Sequence, residues 1–195
     1  MNWEFDGQYC ECLVVFKVKD ELGGLSNISN EFPLRVAGLR IGSSEALYQA
    51  CRYPHRPDWQ REILDAPNAM QAKKEGRRQQ SRPDWESIQL DVMRWVLRIK
   101  LVQHRRFRGL LRWSGDRPIV ERSRRDRFWG AVLEEDDVLR GQNWLGRLLM
   151  ELREELAAVR AAGEEARPLR VEPPAIPEVI LMERKIDVIQ ANPVV

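Results

Sequence analysis

PIVERSRRDRFWGAVLEEDDVLRGQNWLGRLLMELR, spanning Pro118–Arg153, combines two kinds of sequence. In its second half, and just beyond it, Leu145, Leu148, Leu149, Leu152, Leu156 and Val159 recur at three and four residues. That is the spacing of one buried helix face. Gly141, Gln142 and Asn143 stand before it as a flexible entry, with Asn143 a good N-cap. The first half does not follow a packing period. Glu121, Ser123, Asp126 and Trp129-Gly130 form a polar segment ahead of a helix start, where free backbone N–H groups suit phosphate. By spacing alone this segment reads as a solvated loop with a core tryptophan. Carboxylates beside an aromatic ring also suit a nucleotide-like molecule.

The rest of the chain bounds these readings. A length of 195 residues, 43% hydrophobic and 32% charged, fits one domain with a real core. A net charge of +2 excludes a molecule that is basic throughout, but GRRQQSR at 76–82, HRRFR at 104–108 and RSRRDR at 122–127 are local clusters. Each reads as a solvated face or as a rim that attracts phosphate. The three cysteines are odd in number, and Cys10 and Cys12 lie too close for an ordinary disulfide framework, so reduced thiols are expected. His55 and His104 give no zinc-ligand spacing with them, and neither metal nor cofactor is expected. The start MNWEFDGQ lacks a signal core, and no apolar run approaches the roughly 20 residues of a membrane span. A cytoplasmic protein without a membrane partner is expected.

Taken in order, Cys10–Lys19 reads as a strand with Cys12, Val14, Phe16 and Val18 on one face. Leu34–Val36 and Leu39–Ile41 flank Ala37-Gly38 as a hairpin. Ser43 or Ser44 caps a helix running to Tyr53, with Glu45, Gln49 and Arg52 on one side. Pro57 opens a second helix and Pro67 a third, which Gly76 closes and in which Met70 lies one turn before Lys73. Ser81 caps the longest helix, whose stripe is Trp85, Ile88, Val92, Val96, Ile99 and Gln103, with Trp85 at the open end. Leu110 and Leu111 pack a short turn. After Gly163, ARPLRVEPPAIP is a proline-rich connector, and Val179–Met182 and Ile186–Ile189 are short strands or an extended tail. The expectation is an α+β fold, mainly helical, with a small antiparallel sheet. Its domain covers 1–165, and the connector and packed tail cover 166–195.

IVERSRRDRFWG followed by GQNWLGRLLMELR resembles the NADAR family, domains associated with NAD and ADP-ribose. So do LSN at Leu25–Asn27, SEALYQ at Ser44–Gln49, AKKEG ending at Gly76 and RPDW at Arg82–Trp85, all in family order across about Phe16 to Arg153. SEALYQACRYPH and the form of the central motif look most like the branch found beside DarT-type toxins. One departure is Ala46, where the family usually has His after the active-site Glu, so no role of that His carries over.

The resemblance implies N-glycoside hydrolysis: release of ADP-ribose from the guanine amino group of DNA, as an antitoxin. A second branch implies cleavage of riboflavin-pathway ribosylamines, and the competing non-enzymatic class is a reader of ADP-ribose or a toxin-binding protein that neutralises by contact. The implied partners are guanine-ADP-ribosylated DNA, ADP-ribose and a cognate DarT-type toxin. The implied catalytic residues are Glu45, Lys73 and Asp126. A carboxylate stabilises positive charge on the anomeric carbon and a second group protonates the departing amine, or a lysine made neutral by desolvation or by a neighbouring cation, Lys74 or Arg77, captures an opened imine. The implied binding residues are Ser26, Asn27, Gln49, Trp85, Glu121, Trp129, Gly130 and Asn143, with the helix start at Asn143 holding a phosphate.

Overall fold

The computed structural model describes residues 7–163 and 169–190, so the expected boundary at 165/166 lies outside the described residues. The elements in order are β1 (Gly7–Tyr9), β2 (Leu13–Val15), β3 (Leu34–Val36), β4 (Leu39–Ile41), α1 (Ser44–Ala50), α2 (Pro57–Leu64), α3 (Ala69–Glu75), α4 (Trp85–Gln103) and α5 (Arg105–Trp113). Then follow β5 (Ile119–Ser123), β6 (Ala131–Leu133), β7 (Leu139–Gly141), α6 (Trp144–Ala161), β8 (Arg170–Val171), β9 (Ile180–Leu181), β10 (Arg184–Lys185) and β11 (Ile189–Gln190). The fold is α+β. The chain contacts form two compact units, one drawn from 7–26 and 106–163, the other from 27–105 and 169–190.

The first unit is built on a five-stranded sheet of order β1-β7-β6-β5-β2. It is mixed, not antiparallel as expected: β2 pairs β5, and β5 pairs β6, in parallel. Parallel pairing needs a long crossover, and β2 and β5 are separated in the chain by everything from Phe16 to Pro118. The expected face of the first strand is also reversed. Leu13 and Val15 are buried and Val14 is 39% exposed. LVVF is apolar at every position, so alternation carries no phase there. The hairpin β6–β7 was not foreseen; it turns through Asp137 at φ 59°. Arg140 clamps it by ion pairs to Glu134 and Asp136, and its guanidinium draws the Asp136 carboxyl down to about 2.

Helix α6 packs on β5 with Leu145, Leu148, Leu149, Leu152 and Leu156 buried, as its period predicts. Gly146 lets it seat closely, since a Cβ there would lie 2.1 Å from the Ile119 carbonyl. Leu110-Leu111 lie in a full helix, α5, rather than a turn; Phe107 and Leu111 are its buried face.

In the second unit, β3 and β4 form the expected hairpin, with Ala37 at φ 50° and Gly38 at φ 78°. Two successive positive φ values suit a tight two-residue turn. The side chain of Gln103, at the end of α4, accepts from the Arg35 backbone N–H and donates to the Arg35 carbonyl. It thereby mimics a strand on the edge of β3. Ser43 caps α1 by accepting from Ala46 N–H at 3.1 Å, and the helix ends at Ala50, short of Tyr53. Helix α3 starts after Asn68, whose side chain accepts from Gln71 N–H, and not at Pro67. Asp84 is the N-cap residue of α4, and Ser81 is occupied elsewhere.

The α4 stripe from Trp85 to Ile99 is buried as expected, joined by Lys100, which is fully buried with its ammonium 5.1 Å from the Phe32 ring centroid. The tail belongs to this unit. β8 pairs β11, both against α4, β9 pairs β10, and Gln60 ties the β9–β10 hairpin in by donating to the Ile180 carbonyl and accepting from Met182 N–H. No helix among the described residues is long and apolar enough to cross a membrane.

Candidate active site

Every residue of α1 is buried, including Glu45 and Gln49. Enclosed polar groups must be satisfied internally, and here they satisfy one another. Gln49 Nε2 donates to Glu45 Oε1 at 2.8 Å, and Asn27 Nδ2 donates to Glu45 Oε2 at 2.7 Å. Arg52 Nη1 donates to Gln49 Oε1 at 3.1 Å, which leaves the amide nitrogen of Gln49 to face the carboxylate. Arg52 is itself held. Its Nε donates to Ser81 Oγ at 2.8 Å, and its guanidinium lies 5.0 Å from the Trp85 ring centroid. Tyr48 packs on the same indole, with ring centroids 5.0 Å apart. Trp85 is only 6% exposed, so it is an inner support and not the ring at an open end that was expected. Burial, and secondly the Glu45 charge, push the Tyr48 phenol up, which keeps it neutral.

Two atoms of this group are buried without a hydrogen-bond partner: Asn27 Oδ1 and Ser44 Oγ. Each such atom costs about 1–3 kcal/mol unless a ligand or water completes it. Lys73 is half-buried on α3, which packs on α1, and its amine has no hydrogen-bond or ion-pair partner among the described residues. Met70, one turn earlier, is 60% exposed. Gly76 follows α3 with an ordinary helical φ of −65°. Its value is space, because a Cβ there would come within 2.5 Å of Gln49 Oε1 and 2.6 Å of Gln49 Cβ.

The remaining expected site residues lie in the other unit. Ser26 Oγ donates to Glu121 Oε1 at 2.9 Å. Adjacent residues of the LSN motif thus each hold a carboxylate, Ser26 that of Glu121 and Asn27 that of Glu45. Asp126 Oδ1 accepts from Phe128 N–H at 3.1 Å and Trp129 N–H at 2.9 Å, and Ser123 Oγ accepts from Asp126 N–H at 3.0 Å. Asp126 therefore shapes its own loop. Trp129 is half-buried and meets Phe128 edge to face, with ring centroids 5.1 Å apart. Gly130 is required, since a Cβ would lie 2.4 Å from the Glu121 carbonyl.

Asn143 overturns two expectations. Its side chain makes no capping bond, and it adopts a left-handed conformation at φ 52°. It clamps β5 instead, accepting from Glu121 N–H at 3.0 Å and donating to the Ile119 carbonyl at 2.9 Å. The helix start it opens is also closed to phosphate. The N–H groups of Gln142, Asn143, Trp144 and Leu145 already donate to the carbonyls of Arg127, Gly130, Phe128 and Trp129. A loop folded back over a helix start consumes the donors that an anion needs.

Sequence reasoning gave Ser44 and Ser81 only capping roles and assigned no role in the site to Tyr48 or Arg52. For Arg52 the signal was present: it lies three residues after Gln49, on the same side of the helix.

A buried carboxylate held through both oxygens, with open polar atoms around it, is an arrangement able to stabilise positive charge or exchange a proton, and no metal cluster is present among the described residues. The comparisons agree with an α+β glycosidase-like protein. The NADAR domain model matches residues 15–157, and the chain belongs to this family. It is 35% identical over 144 residues to the N-glycosidase YbiA of Escherichia coli K12, covering 73% of this chain and 86% of that protein. It is also 35% identical over 147 residues to a riboflavin biosynthesis protein of Vibrio vulnificus, covering 73% of this chain and 38% of that longer protein. The solved NMR structure of E. coli YbiA matches with a TM-score of 0.65 at 32% identity, over 78% of this chain and 90% of that one.

Proposed function

We propose that this protein is an N-glycosidase that releases ADP-ribose from the amino group of guanine in nucleic acid, acting as the antitoxin to a guanine-specific DNA ADP-ribosyltransferase. The observation that carries the glycosidase reading is the Glu45 carboxylate, buried and fixed through both oxygens by Gln49 and Asn27. A preorganised carboxylate is worth most where positive charge develops in a water-poor site. Cleavage of the ribose C1–N bond returns its electron pair to the leaving nitrogen, which takes up a proton. Water adds to C1 and gives up a proton to a carboxylate. Glu45 stabilises the cationic sugar, and Asp126 is the second proposed acid–base group. In a second route the sugar ring opens to an imine at C1. The Lys73 amine attacks that carbon, the guanine amine departs, and water hydrolyses the lysine imine. Its freedom from any hydrogen bond or ion pair among the described residues suits a nucleophile.

The nucleic-acid substrate is supported by the SEALYQACRYPH motif and by the loop at 122–127. There Arg124 and Arg125 are exposed with no ion pair among the described residues, and Arg122 lies 4.5 Å from the Phe16 ring centroid. Uncompensated arginines on a loop suit a polyanion more than a small metabolite. The similarity to proteins named for riboflavin biosynthesis favours a second reading, hydrolysis of ribosylaminopyrimidine phosphates. Incubation with a guanine-ADP-ribosylated oligonucleotide, its thymine-modified counterpart and a ribosylaminopyrimidine phosphate separates the readings. Release from guanine alone is expected. Hydrolysis of the pyrimidine alone puts the metabolic reading in its place, and binding without turnover makes the protein a reader of ADP-ribose.

A further inference from the structure

A cavity of about 440 Å³ opens beside the end of α1, walled by Arg52, His55, Arg56, Ser81, Arg82, Asp84 and Glu178 among others. Nothing in the proposed chemistry uses it. Its charges are matched with one exception. Arg82 grips Asp84 with two hydrogen bonds, Arg56 grips Asp58 in the same way, and His55 meets Glu178 at 2.8 Å. Arg52 has no carboxylate partner among the described residues. It spends one N–H on Ser81 and one on Gln49, and a guanidinium has five. The Ser81 hydroxyl accepts from Arg52 and donates to nothing among the described residues, so its proton is available. Both groups are fixed in advance, Arg52 by its two hydrogen bonds and by the Trp85 ring beneath it.

We propose that this cavity is a phosphate subsite, in which Arg52 and the Ser81 hydroxyl bind a phosphate group of the substrate. The proposal rests on the reading that the substrate carries phosphate. A guanidinium with several N–H groups in one plane matches two oxygens of a phosphate. The volume exceeds that of a phosphate and admits a nucleotide-sized group around it. The same arginine orients Gln49, which holds Glu45. The anchor of the phosphate is therefore two hydrogen bonds from the carboxylate proposed to act on the sugar. A substrate seated there bears on the residue that fixes the catalytic carboxylate, while a sugar lacking phosphate does not.

Calorimetric titration tests this with two probes, pyrophosphate and a short unmodified single-stranded oligonucleotide, against the wild-type chain, Arg52→Gln and Ser81→Asp. Ser81→Asp places a carboxylate against the Arg52 guanidinium, where it competes with phosphate, and decides the matter if Arg52→Gln fails to fold. The expected result is binding to the wild type and at least a tenfold loss in both variants, each shown to be folded by its thermal transition. Loss confined to the oligonucleotide identifies the group as a backbone phosphodiester, and loss with pyrophosphate identifies the substrate's own diphosphate. Wild-type affinity in the folded variants, or no binding of either probe to the wild type, overturns the proposal. The titration needs no turnover. Failure to release ADP-ribose from any substrate would sink the functional reading and leave the cavity result standing.

Discussion

Gln49 donates its side-chain amide to Glu45 at 2.8 Å, one helical turn away and wholly inside the protein. An exposed pair at this spacing contributes a few tenths of a kcal/mol to helix stability. A buried one acts mainly as a constraint, because neither group has water to turn to. Glu45 thus has one orientation, set by Gln49 and Asn27, and Gln49 has one amide orientation, set by Arg52.

Glu45→Gln removes the charge while keeping the shape. Its amide retains one oxygen for Asn27 or Gln49, so the chain is expected to fold with a modestly lower Tm. The proposed release of ADP-ribose is expected to fall by about 10²–10⁴-fold. A single-turnover release assay beside a thermal melt reads both, and near-native turnover would remove Glu45 from the chemistry.

Lys73→Arg keeps the positive charge but cannot form an imine. If the lysine is the nucleophile, this variant is inactive, and borohydride added during turnover traps a sugar adduct on the wild-type Lys73 only. Mass spectrometry of the tryptic peptide locates the adduct. An active Lys73→Arg enzyme limits the residue to electrostatics.

Asp126 has a structural duty in addition to its proposed chemical one, and two substitutions separate them. Asparagine can still accept from Phe128 and Trp129 N–H through its oxygen, so Asp126→Asn preserves the loop and loses only the carboxylate. Asp126→Ala also loses those hydrogen bonds and is expected to cost about 1–2 kcal/mol of stability. Inactivity of a stable Asp126→Asn variant supports an acid–base role. Full activity of that variant, with instability of the alanine one, makes Asp126 a loop residue.

Gly76→Ala places a methyl group against the Gln49 side chain at contacts as short as 2.5 Å. The backbone is not strained, because φ is −65°. The cost is displacement of Gln49, expected at about 1–3 kcal/mol by denaturant unfolding, with a fall in turnover as Glu45 loses a partner. Unchanged activity would show that the Gln49 contact is dispensable.

Cysteine reactivity checks the packing of α1 independently. Burial pushes the Cys51 thiol up to about 12, whereas Cys10 is exposed. At pH 8 an alkylating reagent is expected to label the exposed Cys10 faster than the half-buried Cys51, because the thiolate is the reactive form and burial disfavours it at Cys51. Cys51 is raised above its unfolded value of 9.0, so its contribution to stability is intact below pH 9 and declines from there toward about 12. Labelling of Cys51 in the native protein as fast as that of Cys10 would contradict the raised thiol.

The sequence alone was enough for the local elements whose cause is local. Three-and-four spacing of leucines made α6, the stripe from Trp85 to Ile99 made α4, and Ala37-Gly38 made a hairpin. Family motifs named Glu45, Lys73 and Asp126 and the residues around them. Where several rules applied at once, sequence did not suffice. LVVF has no alternation to reveal its inner face, and parallel pairing of β2 with β5 joins residues more than a hundred positions apart. The same is true of each polar role. Asn143 has a capping residue's chemistry, but its side chain is claimed by the β5 backbone, and the loop carbonyls take the N–H groups that a phosphate would need. Ser81 looks like a cap and instead anchors Arg52. A hydrogen-bonding side chain is specified by type in the sequence, but its partner is whichever unsatisfied group the folded chain brings within about 3 Å, and for these residues only the tertiary structure supplies that partner.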